Sequence, residues 1–285
     1  MDMFRQQAKW YALGALCVAT IFIWHAVFAE SDRGVLTIAF LDVGQGDAIF
    51  IEAPSGAQAL IDGGPNKAVL RELGSVMPFY DRSIDIVIAT HPDQDHIGGL
   101  PDVFKRYDVD YFLESGAVSE TGAYHALEST VSLSGAERVL ARRGMKISLG
   151  DNASLHILFP DRDVSGMESN DASIIAQLIF GETEVLLTGD APQKIEKYLA
   201  AKDGQGLKSD ILKVGHHGSK TSTSELFIGF VSPEYAIISA GANNRYGHPH
   251  KEVVDTLLRF GVTSFNTSES GTIIFKSDGT RVWLQ

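Results

Sequence analysis

Cysteine is nearly absent from this chain: 285 residues contain one, Cys17. That excludes a disulfide framework and any cysteine-rich zinc site. The lone thiol lies in an apolar run, where it packs against lipid or neighbours and has no chemistry. Positive charge is also scarce, with 24 Lys and Arg against 36 Asp and Glu and a formal net charge of −12. So acidic a chain lacks the broad basic surface of a tight, non-specific duplex binder. Bound divalent metals would add local positive charge that this count omits. No internal repeat or low-complexity tract interrupts an ordinary globular composition, 44% hydrophobic and 21% charged, of one large domain or two small ones.

One stretch has no charge at all. Residues 10–29, WYALGALCVATIFIWHAVFA, contain no Asp, Glu, Lys or Arg. Twenty helical residues span a hydrocarbon core of about 30 Å. Arg5 and Lys9 precede the span, and Glu30 and Asp32 follow it. The positive-inside bias therefore leaves residues 1–9 as a cytoplasmic stub and exports residues 30–285 behind a membrane anchor. The rival is a cleaved signal peptide, since Val27 and Ala29 are small enough for a processing site. Both readings export the remainder, and His25 falls at the outer interface.

Beyond Gly34 the pattern changes to short apolar runs bounded by Gly, Asp and Pro. VLTIAFL (35–41), DAIFIEA (47–53), AQALIDG (57–63) and IDIVIAT (84–90) predict strands, and 97–107 a helix. Residues 115–150, including SGAERVLARRG, predict one or two helices. Strands resume at 154–160, 172–180 and 183–189, and a helix follows at 191–202 with Pro192 in its first turn. Further strands at 210–215 and 234–240, a helix at 251–260 and a hairpin around Asp278-Gly279 close the chain. Strand-rich and helical stretches alternate twice, which predicts two mixed sheets face to face with helices outside.

The chemistry gathers in loops that follow these strands, as when strand ends converge on a site. THPDQDHIGGL (90–100) places His91, Asp93, Asp95 and His96 within six positions. Capping the next helix would need far fewer such groups, whereas imidazole and carboxylate together suit divalent first-row metals. LDVGQGDA (41–48) aims Asp47 from a glycine-rich turn, IDGG (61–64) ends a strand at Asp62, and LLTGD (186–190) presents Asp190. LKVGHHGSKTS (212–222) carries His216 and His217, fitting one ligand and one substrate-facing neighbour. GANNRYGHPH (241–250) adds His248 and His250, while His125 and His156 lie elsewhere and receive no role.

In order along residues 35–276, LDVGQGDA, IDGG, THPDQDHIGGL, NDASI, LLTGD, LKVGHHGSKTS, NNRYGHPH and SGTI resemble the metallo-β-lactamase superfamily. More narrowly, they are similar to the exported hydrolase domain of ComEC-type competence proteins. The resemblance implies an α/β (α+β) fold, an αββα sandwich of two mixed sheets with outer helices. It implies that His91, Asp93, Asp95 and His96 are metal ligands, that Asp190 bridges two metals, and that His216 or His217, with His217 preferred, completes the second metal's shell. Asp93 stands where the superfamily commonly has a second His, and this harder donor moves preference toward Mn²⁺ relative to Zn²⁺. A further superfamily His has no counterpart here; Asn170, Asp171 or a water takes its place. Full ComEC-type proteins carry many membrane spans, so the likeness reaches the hydrolase domain and not the pore.

The implied activity is that of an exported, membrane-anchored, metal-dependent phosphodiesterase or nuclease, with Asp95, His216 and His248 in the chemistry. Two divalent ions activate water and stabilise charge on phosphoryl oxygens. His216 or His248 protonates the leaving oxygen, and Ser219, Lys220, Asn244 and Arg245 hold phosphate oxygens. The partners expected are DNA or another phosphodiester, the membrane, and a DNA-uptake assembly. Two alternatives stand beside this: hydrolysis of a phosphorylcholine- or polyol-phosphate-type envelope polymer, and a non-catalytic docking module of an uptake or envelope complex. β-Lactam hydrolysis fits the loops less well.

Overall fold

The computed structural model describes the backbone of residues 2–31 and 34–285, and the side chains of residues 7–24 and 34–285. The side chains of Arg5, His25, Val27, Ala29, Glu30 and Asp32, on which the topology and processing expectations rest, lie outside the described residues. Two compact units result, Met1–Val35 and Leu36–Gln285. The first is a helix, Asp2–Ser31. Its Gln7–Trp24 window, of mean hydropathy 1.2, is long and apolar enough to cross a membrane. Cys17 is exposed on it.

The second unit is a sandwich of two sheets. Its strands in chain order are β1 (Leu36–Phe40), β2 (Ile49–Glu52), β3 (Gln58–Ile61), β4 (Ser83–Ala89), β5 (Asp108–Glu114), β6 (Glu137–Leu140), β7 (Lys146–Ser148) and β8 (Ala153–Phe159). They continue as β9 (Ile175–Phe180), β10 (Thr183–Leu187), β11 (Ile211–Lys213), β12 (Tyr235–Ile238), β13 (Thr263–Asn266), β14 (Ile273–Ser277) and β15 (Val282–Leu284). One sheet runs β15-β14-β1-β2-β3-β4-β5-β6, the other β13-β12-β11-β10-β9-β8-β7.

Successive side chains of a strand face opposite ways, so a sheet covered on both faces needs consecutive apolar residues. Phe50 and Ile51, Leu186 and Leu187, and Ile211 and Leu212 meet that need. Ile51, Leu187 and Ile211 enter the layer between the sheets with Phe40, Ile88, Leu155 and Leu178. Phe50 turns outward to join Leu73, Leu100 and Val103, which come from helices Ala68–Val76 and Leu100–Arg106. Leu186 and Leu212 turn to the opposite outer layer, where Leu199, Phe227 and Leu257 come from helices Gln193–Asp203, Glu225–Val231 and Lys251–Arg259. The expected αββα order of layers is present.

The segment 115–150 departs from its reading. Only Gly122–Ser134 is helical, and Gly135, with φ of 85°, ends it in the left-handed conformation. SGAERVLARRG instead supplies β6, which pairs in parallel with β5 through Arg138 opposite Phe112 and Leu140 opposite Glu114. Its helical periodicity yields to an open sheet edge. The expected helix over 97–107 splits into Gln94–Ile97 and Leu100–Arg106. Helices Ala68–Val76 and Glu225–Val231 and strand β13 were not expected. After traversing the second sheet the chain returns to the first, where β14 pairs antiparallel with β1. Strands β10, β11 and β12 are mutually parallel, as are β3, β4 and β5, so within each set the C-terminal loops leave at one end.

Candidate metal centre

The loop after β4 is seated backbone to backbone. At Gly46 a Cβ would stand 2.2 Å from the Asp95 carbonyl oxygen, and at Gly99 one would stand 2.2 Å from that of Gly63. The Asp47 amide donates to the Asp95 carbonyl at 3.2 Å, and the Gly63 amide to that of His96 at 2.6 Å. The glycines of LDVGQGDA and IDGG thus hold the His/Asp loop in place, since only residues without side chains allow this approach.

Asp62, itself in a left-handed conformation with φ of 60°, orients two imidazoles. Its carboxylate accepts from the Thr90 amide at 2.8 Å, the Thr90 hydroxyl at 2.7 Å and His96 Nδ1 at 2.8 Å. Having given its proton to Asp62, the Thr90 oxygen accepts from His91 Nδ1 at 3.0 Å. His217 Nδ1 donates to the Ser239 carbonyl at 2.9 Å. With Nδ1 of all three rings acting as donor, a neutral ring keeps a lone pair on Nε2.

Those lone pairs converge on Asp190. Its Oδ1 lies 3.2 Å from His96 Nε2, and its Oδ2 lies 3.5 Å from His217 Nε2, 3.6 Å from His216 Nε2 and 4.0 Å from His91 Nε2. Asp93 Oδ2 stands 3.7 Å from His91 Nε2, and Asp95 Oδ2 3.3 Å from His217 Nε2. Asp47, His96, Asp190 and His217 each offer a buried donor atom within 4.8 Å of the others. Nε2 of His91, His96 and His217 and Oδ1 of Asp190 and Asp47 are buried without a hydrogen-bond partner among the described residues. Buried polar atoms are rarely left this way. Lone pairs cannot satisfy one another, but divalent cations would satisfy the three Nε2 atoms and Asp190 Oδ1, so this donor set fits metal.

His216 and His217 occupy left-handed backbone, with φ of 49° and 55°. That conformation is uncommon for side chains of this size and is found where function demands it. Here it sends neighbouring rings apart. His217 is buried in the cluster, whereas His216 reaches Asn170, whose Nδ2 lies 3.5 Å from each of its ring nitrogens. Asp171 instead pairs with Lys194. His248 lies beside both, its ring centroid 5.7 Å from that of His216 and 6.3 Å from that of His217.

The residues expected to hold phosphate divide. The Ser219 hydroxyl bonds Thr221 in its own loop at 2.9 Å. Asn244 braces its loop, accepting from the His248 amide at 2.9 Å and donating to the His248 carbonyl at 2.6 Å. Lys220 and Arg245 are exposed, the latter with its guanidinium 4.9 Å from the Tyr246 ring. His125 pairs with Glu120, and His156 bonds Ser154 on β8. Sequence reading missed Thr90 and the Ser239 carbonyl, which carry no local signal. It also missed Lys213, which does carry one: a charge inside the apolar run ILKVG, just before the paired histidines.

Asp62→Asn should weaken metal binding about 10–100-fold, the usual loss when an outer hydrogen-bond partner is removed. An amide cannot accept from all three donors at once. Equilibrium dialysis with Mn²⁺ measures this, and unchanged affinity would show that Asp62 merely fills space.

The sequence profile of the Metallo-beta-lactamase superfamily matches residues 41–242. ComE operon protein 3 of Bacillus subtilis strain 168 is 32% identical over 290 residues, covering 95% of this chain and 37% of that protein. Competence protein ComA of Neisseria gonorrhoeae is 31% identical over 194 residues, covering 68% of this chain and 25% of that one. The chain therefore spans about a third or less of the length of these relatives. Among solved structures, Igni18, a metallo hydrolase from Ignicoccus hospitalis KIN4/I, shares the fold with a TM-score of 0.53 at 15% identity, over 84% of this chain and 98% of that one. Since the profile match takes in more than half of the chain, including Asp47, the His/Asp loop, Asp190 and the paired histidines, the chain belongs to the metallo-β-lactamase superfamily and is related to its competence-protein, ComEC-like members.

Proposed function

We propose that this chain is a metal-dependent phosphodiesterase, anchored in the membrane by its N-terminal helix, with the sandwich outside the cytoplasm. One observation carries the reading: three imidazole nitrogens and a carboxylate oxygen of Asp190, all buried and unpartnered among the described residues, face one another. His91, Asp93 and Asp190 would hold one divalent ion; Asp95, His96, Asp190 and His217 would hold a second. Such ions lower the pKa of water and neutralise charge developing on phosphoryl oxygens. The protein's own groups do the rest. Asp62 fixes the His91 and His96 tautomers, His216 and His248 flank the cluster where substrate oxygens enter, and Lys220 and Arg245 supply cations at its rim. Relationship to competence proteins makes DNA the first substrate to try and DNA uptake the process to examine. The net charge of −12 favours a second reading, a small or envelope-derived phosphodiester.

The deciding experiment is a metal-supplemented activity screen of the purified full chain in detergent against single-stranded DNA, duplex DNA and small phosphodiesters. Because Asp93 supplies a hard donor, Mn²⁺ should support more activity than Zn²⁺ at equal occupancy. No hydrolysis of any phosphodiester with either ion would end this reading. For topology, a reporter fused after Gln285 should be active only if it is a type that works outside the cytoplasm. A cytoplasm-only reporter active at that position would reverse the orientation.

A further inference from the structure

Among the described residues, Lys213 is the one cation in the group of largest fully buried side chains. It ends β11, an interior strand of the second sheet, between Leu187 of β10 and Ile237 of β12. An ammonium out of water needs partners, and Lys213 has two. Its Nζ donates to the Val214 carbonyl at 2.9 Å and lies 2.8 Å from Asp47 Oδ2. Asp47, 1% exposed, comes from the opposite sheet, in the connection between β1 and β2. Its other oxygen, Oδ1, lies 3.3 Å from His217 Nδ1.

The pair therefore reaches across the sandwich and meets His217 on the side away from the cluster. The Nδ1 proton of His217 lies near both the Ser239 carbonyl and the Asp47 carboxylate, which leaves Nε2 facing Asp95 and Asp190. A carboxylate behind an imidazole fixes the ring and strengthens it as a donor. Yet Asp47 also has a donor atom within 4.8 Å of donors from His96 and Asp190, close enough to enter a metal's own shell. Lys213 occupies one of its two oxygens and restrains it.

We propose that Lys213 and Asp47 form a buried clamp that fixes His217 as a metal donor and keeps Asp47 out of the metal's shell. Both are positioning residues, and the inference rests on His217 being a donor. Lys213→Met keeps an unbranched side chain one atom shorter and removes the charge. Equilibrium dialysis of the full chain in detergent with Mn²⁺ and Zn²⁺ should show one ion held about 10–100-fold more weakly, with circular dichroism unchanged. Asp47→Asn should act in the same direction. The double variant Lys213→Met/Asp47→Asn should melt above Lys213→Met, because no charge is left buried alone, without recovering affinity.

Should Lys213→Met fail to fold, Asp47→Asn and imidazole ¹⁵N NMR decide. The zinc-loaded wild type should show a slowly exchanging His217 Nδ1 proton that exchanges faster in Asp47→Asn, a change that a merely space-filling role would not produce. Wild-type affinity in both single variants, with one ion lost in His217→Ala, would overturn the clamp and leave the metal centre standing. Full metal content in His217→Ala would overturn both. Complete loss of one ion in Asp47→Asn with none in Lys213→Met would make Asp47 a ligand, which also overturns the clamp.

Discussion

Asp190→Ala is expected to empty the metal centre and abolish hydrolysis while the sandwich stays folded. Among the described residues, Asp190 is the only carboxylate that lies within 4.0 Å of all four Nε2 atoms of His91, His96, His216 and His217. Both its oxygens face imidazoles, so removing it strips a donor from each side of the cluster at once. Its side chain belongs to none of the three apolar layers, which is why the fold should survive. Asp95→Ala should behave alike, although 95 positions separate the two residues in the chain. Metal analysis of the purified variants, with circular dichroism as the control for folding, reads the result. Full occupancy in Asp190→Ala would remove its bridging role. Loss of one ion and retention of the other would reduce it to a ligand of a single site.

His248→Ala should retain both metals and lose roughly 10²–10³-fold in turnover, the range seen when one donor to a developing oxyanion is removed. Burial, followed by the neighbouring imidazoles of His216, His217 and His250, lowers its pKa to about 4. It is therefore neutral at pH 7, suited to hydrogen bonding a substrate oxygen more than to carrying a resident proton. Its Nδ1 is buried and unpartnered among the described residues, while Asn244 holds its backbone at two points. The loss should accordingly be similar for a nitrophenyl ester and for a phosphodiester with a poor leaving group. A loss confined to the poor leaving group would instead identify a general acid. Unchanged turnover on both would mean that His248 only braces its loop, and loss of a metal would make it a ligand.

What the sequence determined by itself was local. Consecutive apolar residues in IDIVIAT and TEVLLTG announced strands covered on both faces, because alternation along a strand leaves no other use for them. The density of His and Asp in THPDQDHIGGL announced metal, because no cap or turn needs four such groups. Only the tertiary structure decided which groups meet. SGAERVLARRG became an edge strand because β5 offered it an open edge, a partner that helical periodicity cannot reveal. The choice of His217 over His216 to face Asp95 lies in two left-handed backbone conformations that the residue types do not favour. Asn170 reaches His216 while Asp171 turns to Lys194, a distinction set by a single 3₁₀ turn, Asn170–Ala172. Thr90 relays Asp62 to His91, and Lys213 joins Asp47 across the two sheets. Each of the last two depends on residues distant in the chain being brought within hydrogen-bond reach, and that is the work of packing, not of pattern.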